Sequence, residues 1–236
     1  MDWELLIRTY PSEKEAIIRA KSLREMVDIA MNGMDIPLLE GPCLEDRLLS
    51  FVPDLAHLCS SVWKDYSGSE PPFDMAEVLH AYANKVGIPE IEGVNDDALQ
   101  VIVTHAFSHQ LHLLREKNAQ SIPAAWSQGN CPFCGTYPRI GFDTESGRVL
   151  HCPMCGHSWL FPRMRCPVCS NEDHTTLGYF EAEGLAGIRV CFCHACKHYI
   201  KVMDTKDGAS PDPETEDALS LEFDKLALNE GFKEVA

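Results

Sequence analysis

Four Cys-x-x-Cys pairs follow one another in this 236-residue chain: Cys131-Pro-Phe-Cys134, Cys152-Pro-Met-Cys155, Cys166-Pro-Val-Cys169 and Cys193-His-Ala-Cys196. Two intervening residues let a tight turn aim both sulfurs at one ion, so each pair supplies half of a tetrahedron. Eight thiolates make two four-sulfur sites with none left over. The pairs lie 17, 10 and 23 residues apart, and sequential closure is the simplest pairing. Cys131, Cys134, Cys152 and Cys155 would form one site, and Cys166, Cys169, Cys193 and Cys196 the other. Each span suits a β-hairpin with a knuckle at each end, the layout of zinc ribbons and rubredoxins. Interleaved pairing, which makes strands cross between modules, is the poorer alternative. Such cages take either zinc, which is redox-inert, or iron, which can pass one electron. Closed coordination leaves no position for water or substrate, which argues against hydrolytic metal catalysis.

Gly135 and Gly156 follow the first two pairs and tolerate the left-handed backbone that such turns often need. Cys191 offers an alternative ligand, but the spacing favours Cys193 with Cys196 and leaves Cys191 as a packed thiol on the opposite side of its strand. Cys43 and Cys59 read as small buried hydrophobes. His151, His157, His194 and His198 lie close enough to the knuckles to donate to a thiolate. A weaker signal is His105, His109 and His112, which offsets of four and seven place in one helical stripe. They could ligate a further ion, but a polar stripe bordering the apolar face of Ile102, Ala106, Leu113 and Leu114 explains them as well. No Gly-rich phosphate loop, nucleophile elbow or HExxH is present, so no catalytic residue is assigned and the chain reads as a non-enzyme.

The elements that must position these residues change character along the chain. Residues 1–125 read as a helical domain. Ser12 and Glu15 form a capping-box pattern ahead of Ala16, Ala20, Leu23, Val27 and Ala30. A helix from Pro53 carries Leu55, Leu58, Cys59, Val62, Trp63 and Tyr66, and Met75, Val78, Leu79, Tyr82 and Val86 repeat the pattern. A longer helix runs from about Asp96 to Lys117, with Asn95 and Asp96 able to satisfy its first amides. Residues 126–164 and 165–204 read as two small β-rich modules, too poor in apolar residues to hold together without metal or disulfide staples. Residues 205–236 form an acidic linker and a C-terminal helix, starting near Pro211-Asp212-Pro213 and burying Leu219, Phe223 and Leu226. The fold class is α+β.

Charge follows the same divisions. The chain carries 20 Lys+Arg against 36 Asp+Glu, a net −16. Residues 1–130 hold a net −10, residues 131–203 a net +1 and residues 204–236 a net −7. Arg139, Arg148, Arg163, Arg165 and Arg189 stud the cysteine region among Tyr137, Trp159, Tyr179 and Tyr199. They could form a recognition surface for a protein, whereas a polyanion would bind against the overall field, so no nucleic-acid partner is expected. No apolar run approaches a membrane span and no secretory signal is visible, so the chain reads as cytoplasmic. Eleven cysteines in a reducing compartment point to metal rather than disulfides.

The cysteine region resembles the formate dehydrogenase accessory proteins of the FdhE type. The resemblance rests on Trp126 ahead of CPFCGTYPRI, then RVLHCPMCGHSWLFPRMRCPVC, GYF and IRVCFCHACKHYIKVMD, followed by an acidic stretch and a terminal helix. It is close over residues 126–230 and general over the N-terminal helices, where the chain looks shorter than typical members. It implies a helical region joined to two rubredoxin-like modules and metal ions, iron or zinc, on the eight cysteines of the four pairs. It also implies a maturation factor that binds the formate dehydrogenase catalytic subunit in the cytoplasm. Ser170 stands where a Gly is common, and Cys191 is an addition. The competing readings are a transcription-linked zinc-ribbon protein, which should be retained on heparin, and a CxxC thiol-disulfide oxidoreductase, which needs free thiols.

Overall fold

A computed structural model describes residues 1–38, 49–181, 187–205 and 211–235. Cys43 lies outside them. The chain divides into two compact units, Tyr10–Ser121 and Met1–Thr9 with Ile122–Ala236.

The first unit is helical. Its helices are α2 (Lys14–Met31), α3 (Val52–Ser67), α4 (Met75–Ala83) and α5 (Asp96–Lys117). The α5 boundaries agree with the sequence reading because the cap is local: the Asn95 carbonyl Oδ1 accepts from the Ala98 N–H at 3.0 Å. Leu99, Ile102, Val103, Ala106, Phe107, Leu111 and Leu114 recur at helical spacing and are all buried. This face packs against α2 and α3, and α3 packs against α4. The Ser12–Glu15 capping box does not form. A 3₁₀ turn over Pro11–Glu13 absorbs Ser12, and α2 starts with no side-chain cap. Its buried residues are Leu23, Val27 and Met31, while Ala16 and Ala30 face outward. Val86 lies beyond the end of α4 and is exposed, since that helix stops at Asn84 rather than at Gly87.

The second unit holds one mixed sheet with strand order β3-β2-β1-β6-β5-β4. The strands are β1 (Ile140–Thr144), β2 (Gly147–His151), β3 (Ser158–Phe161), β4 (Leu177–Phe180), β5 (Ile188–Cys193) and β6 (Tyr199–Asp204). Strands β1 to β3 form one antiparallel meander and β4 to β6 another. Parallel pairing of β1 with β6 joins them. The two modules of the sequence reading thus share one sheet, joined at β1 and β6, while residues 164 and 165 lie in the connection between its two edge strands β3 and β4. β1, which that reading did not single out, is half of the joint.

Register sorts the side chains by face. Val190, Phe192, Tyr199 and Lys201 point to one side, where α7 (Leu221–Asn229) covers them with Phe223 and Ala227. Lys201 is wholly buried, and its ammonium meets Asp224 at 2.6 Å and Asp217 at 2.7 Å. α6 (Pro213–Leu219) is capped by Asp212 and packs against α1 (Trp3–Thr9). The Asp2 N–H donates to Thr215 Oγ1 at 2.6 Å, so residues 1–9 join this unit rather than the helical one. The terminal helix expected from sequence is therefore two helices broken at Ser220, and Ala227 rather than Leu226 turns inward. Among the described residues, no helix is long and apolar enough to cross a membrane.

Candidate metal centre

All four Cys-x-x-Cys turns have the same backbone construction. In each, the first cysteine's carbonyl accepts from the N–H four residues on: Gly135, Gly156, Ser170 and Lys197, at 2.8–3.1 Å. The first cysteine's own N–H donates to the carbonyl five residues on, at 2.8–3.0 Å. The residue after the second cysteine has a positive φ of 79°, 70°, 59° and 65° in order. Gly135 and Gly156 take that conformation without cost, while Ser170 and Lys197 adopt it against the Cβ penalty. The shared turn overrides the side chain at both places.

The sulfurs gather in two groups, Cys131, Cys134, Cys152 and Cys155, and Cys166, Cys169, Cys193 and Cys196, with every Sγ in a group within 4.8 Å of the others. Across the first group the separations are 3.5 Å (Cys131–Cys155) and 3.4 Å (Cys134–Cys152). Across the second they are 3.6 Å (Cys166–Cys196) and 3.7 Å (Cys169–Cys193). These thiols are unbridged. An ion about 2.3 Å from each sulfur sets tetrahedral edges of about 3.8 Å, so both groups could hold one with a small expansion.

The two groups differ in access. All four cysteines of the first are buried, whereas Cys169 is exposed and Cys196 half-exposed in the second. Burial pushes the Cys193 thiol up, but the Cys196 N–H, the Asn171 amide and the Ala195 N–H outweigh it and bring it down to about 7. Asn171 Nδ2 stands 3.4 Å from Cys193 Sγ and also donates to Thr176 Oγ1 at 2.7 Å. Sequence reasoning missed this donor because an Asn two residues past a knuckle carries no local signature. Of the four histidines expected near the knuckles, His198 serves Cys196 through its backbone N–H. His151 meets Ser158 Oγ, His157 stacks on Trp159, His194 packs on Phe192 and Phe232, and the His198 carbonyl accepts from Cys193.

The sheet face away from α7 carries a cavity of about 510 Å³ beside the second group, touching Cys166 and Cys193. Its floor is Asp143, 4% exposed, which binds three guanidiniums. Arg148 is bidentate (2.9 and 3.2 Å), Arg189 donates at 3.0 Å, and Arg163 lies at 3.4 Å. Cys191 lines the same cavity. This corrects its expected position, since residues two apart on a strand share a face, and Cys191 and Cys193 do so on β5. Burial raises its thiol pKa. Arg139 stands elsewhere, paired with Asp217 and Glu234, and Cys59 is a buried core thiol pushed up to about 12 by desolvation.

No family model matches the chain. It is 30% identical over 148 residues to an FdhE homolog of Aquifex aeolicus, covering 61% of this chain and 52% of that protein. It is 29% identical over 109 residues to an FdhE homolog of Shewanella oneidensis, covering 44% and 36% respectively. The matched part thus spans about half the length of these curated relatives or less. The fold is that of the FdhE protein from Pseudomonas aeruginosa, whose crystal structure superposes with a TM-score of 0.68 over 98% of this chain and 91% of that one, at 20% identity. These likenesses bear out the resemblance to the FdhE family read from the cysteine region.

Proposed function

We propose that this chain is an accessory protein of the FdhE type, a non-enzymatic factor that engages the catalytic subunit of a formate dehydrogenase in the cytoplasm during its maturation. The observation that carries this reading is the pair of four-cysteine groups set in one sheet, in a chain that resembles FdhE proteins. Cys131, Cys134, Cys152 and Cys155 would hold one ion, and Cys166, Cys169, Cys193 and Cys196 another, each iron or zinc. Either ion would staple the strands, and iron would add a one-electron couple.

The protein's own residues supply the rest of the arrangement. The Asn171 amide and the knuckle N–H groups donate toward the second group's sulfurs, which favours thiolate. Exposed Met164 and Tyr179 border the cavity over Asp143 and its arginines, next to that group. An apolar rim around a floor where Asp143 already engages three arginines suits a protein partner better than a nucleic acid. Affinity capture of the full chain from its native host should recover a formate dehydrogenase catalytic subunit, and Met164→Glu with Tyr179→Glu should reduce recovery at unchanged metal content. Recovery of no such subunit from formate-grown cells would refute the assignment. Elemental analysis with an absorption spectrum on anaerobically purified protein distinguishes the ions, since a ferric four-sulfur centre is coloured and bleaches on reduction.

A further inference from the structure

The histidine stripe on α5 does not act as a unit. His112 turns to Glu116 at 3.2 Å, while His105 and His109 converge on Asp28 of α2. His105 Nε2 lies 2.7 Å and His109 Nδ1 2.6 Å from the same oxygen, Asp28 Oδ1. The two rings stand nearly perpendicular, with centroids 5.9 Å apart. The three donor atoms lie within 4.8 Å of one another, and a cavity of about 420 Å³ lined by Asp28, His109, Met31, Met34 and Leu113 opens beside them.

We infer that Asp28, His105 and His109 form a third metal site, for a first-row divalent cation such as zinc or nickel, built unlike the cysteine cages. Two imidazoles at i and i+4 on one helix face are a recurrent metal-binding pair, and the carboxylate from the facing helix completes a three-donor face. Tetrahedral bonds of about 2.0–2.2 Å to nitrogen and oxygen set neighbouring donors about 3.3–3.6 Å apart. The two imidazole nitrogens, now 2.7 and 2.6 Å from Asp28 Oδ1, must therefore move away from it by about 0.6–1 Å, to which the half-exposed Asp28 carboxylate contributes by rotating. Three protein donors leave coordination positions open toward the cavity, so water or a small anionic ligand can complete the shell. Arg24, one turn before Asp28 on α2, acts electrostatically on His105. Its positive charge opposes a cation there and weakens the site.

The test uses the full chain purified with its cysteine sites filled, titrated with Co²⁺ and followed by elemental analysis and absorption. One further equivalent should bind, giving weak d–d bands of nitrogen and oxygen ligation without thiolate-to-cobalt charge transfer. Asp28→Asn, at a half-exposed position and with folding checked by circular dichroism, should raise the Kd for that equivalent about tenfold or more. The double variant His105→Ala/His109→Ala should abolish it, and His112→Ala should leave it unchanged. Absence of the extra equivalent, its survival in the double variant, or its loss in His112→Ala would overturn the assignment. Cobalt that enters only with charge-transfer bands would overturn it too, since that metal sits on cysteine.

Discussion

The unequal burial of the two cysteine groups has a kinetic consequence that chelation can read. With both cages loaded, Cys169 already meets solvent, so a chelator can approach the second cage without any opening of the fold. Every sulfur of the first cage is at most 2% exposed, so its ion is reached only through local or global unfolding. Global stabilities of domains this size are about 5–15 kcal/mol, and core segments open at close to the global cost. Taking about 5 kcal/mol as the opening cost, and about 1.4 kcal/mol per tenfold, the first cage should be stripped about a thousandfold or more slowly. The assay is a chelator challenge with timed alkylation and mass spectrometry of the cysteine peptides. Cys166, Cys169, Cys193 and Cys196 should be modified as one early group, and Cys131, Cys134, Cys152 and Cys155 much later, together with loss of β-sheet signal. Simultaneous modification of all eight, or rapid alkylation without chelator, would refute the reasoning.

Asp143→Ala strands the buried Arg148 guanidinium and should cost about 3–5 kcal/mol, seen as a fall in Tm of about 10 °C or more, and the volume-matched pair Asp143→Leu/Arg148→Met should recover most of it. Ser170→Gly relieves a left-handed residue and should stabilise by about 0.5–1 kcal/mol in denaturant unfolding. Lys197→Gly should gain less, because the Lys197 ammonium lies 5.9 Å over the Phe232 ring and that contact is lost. Cys59 gives the helical unit a pH signature: its thiol is held at about 12 when folded against 9.0 when free. The raised folded pKa contributes its full stability below pH 9 and loses it as pH rises toward 12, by about 1.4 kcal/mol per pH unit. Cys59→Ala should lack this alkaline loss when unfolding free energies are compared between pH 8 and pH 10.

The cysteine pairing was legible in the sequence because it is set by local turns and short hairpins, each of which closes on itself. The ends of α5 were legible for the same reason, since Asn95 caps within its own turn. What the sequence hid is non-local. Asp28 lies 77 residues from His105, so a helical stripe groups three histidines without revealing the α2 carboxylate on which two of them converge. Asp143 looked like one acidic residue among many, and only the β1–β2 register sets it opposite Arg148. β1 is hidden in the sequence because Gly141 and Asp143 spoil its apolar pattern, yet Asp143 holds the arginines and Gly141 lets Leu150 pack close, since a Cβ there would meet Leu150 Cδ2 at 3.1 Å. The parallel pairing of β1 with β6 joins segments with four strands between them, which no pattern of neighbouring residues encodes.

That joint also decides whether the two cages act as separate staples. Hydrogen bonds close it at both ends, from the Lys201 N–H to the Arg139 carbonyl and from the Thr205 N–H to the Asp143 carbonyl, each at 3.0 Å. Asp143 then ties across it, holding Arg148 of its own meander and Arg189 of the other. Gly129 adds a second tie, since it lies so close to the Pro167 carbonyl that a Cβ would stand 1.8 Å from it; the segment leading to the first knuckle thus rests on the third. If each group holds an ion, removing the second should free β4 and the outer half of β5, while the joint keeps β6 paired with β1 as long as the first cage holds. Removing the first would take away the closure of β1 to β3 on which the joint depends. On that reading the exposed cage would exchange its ion at small structural cost, while the buried one would maintain the sheet beside it.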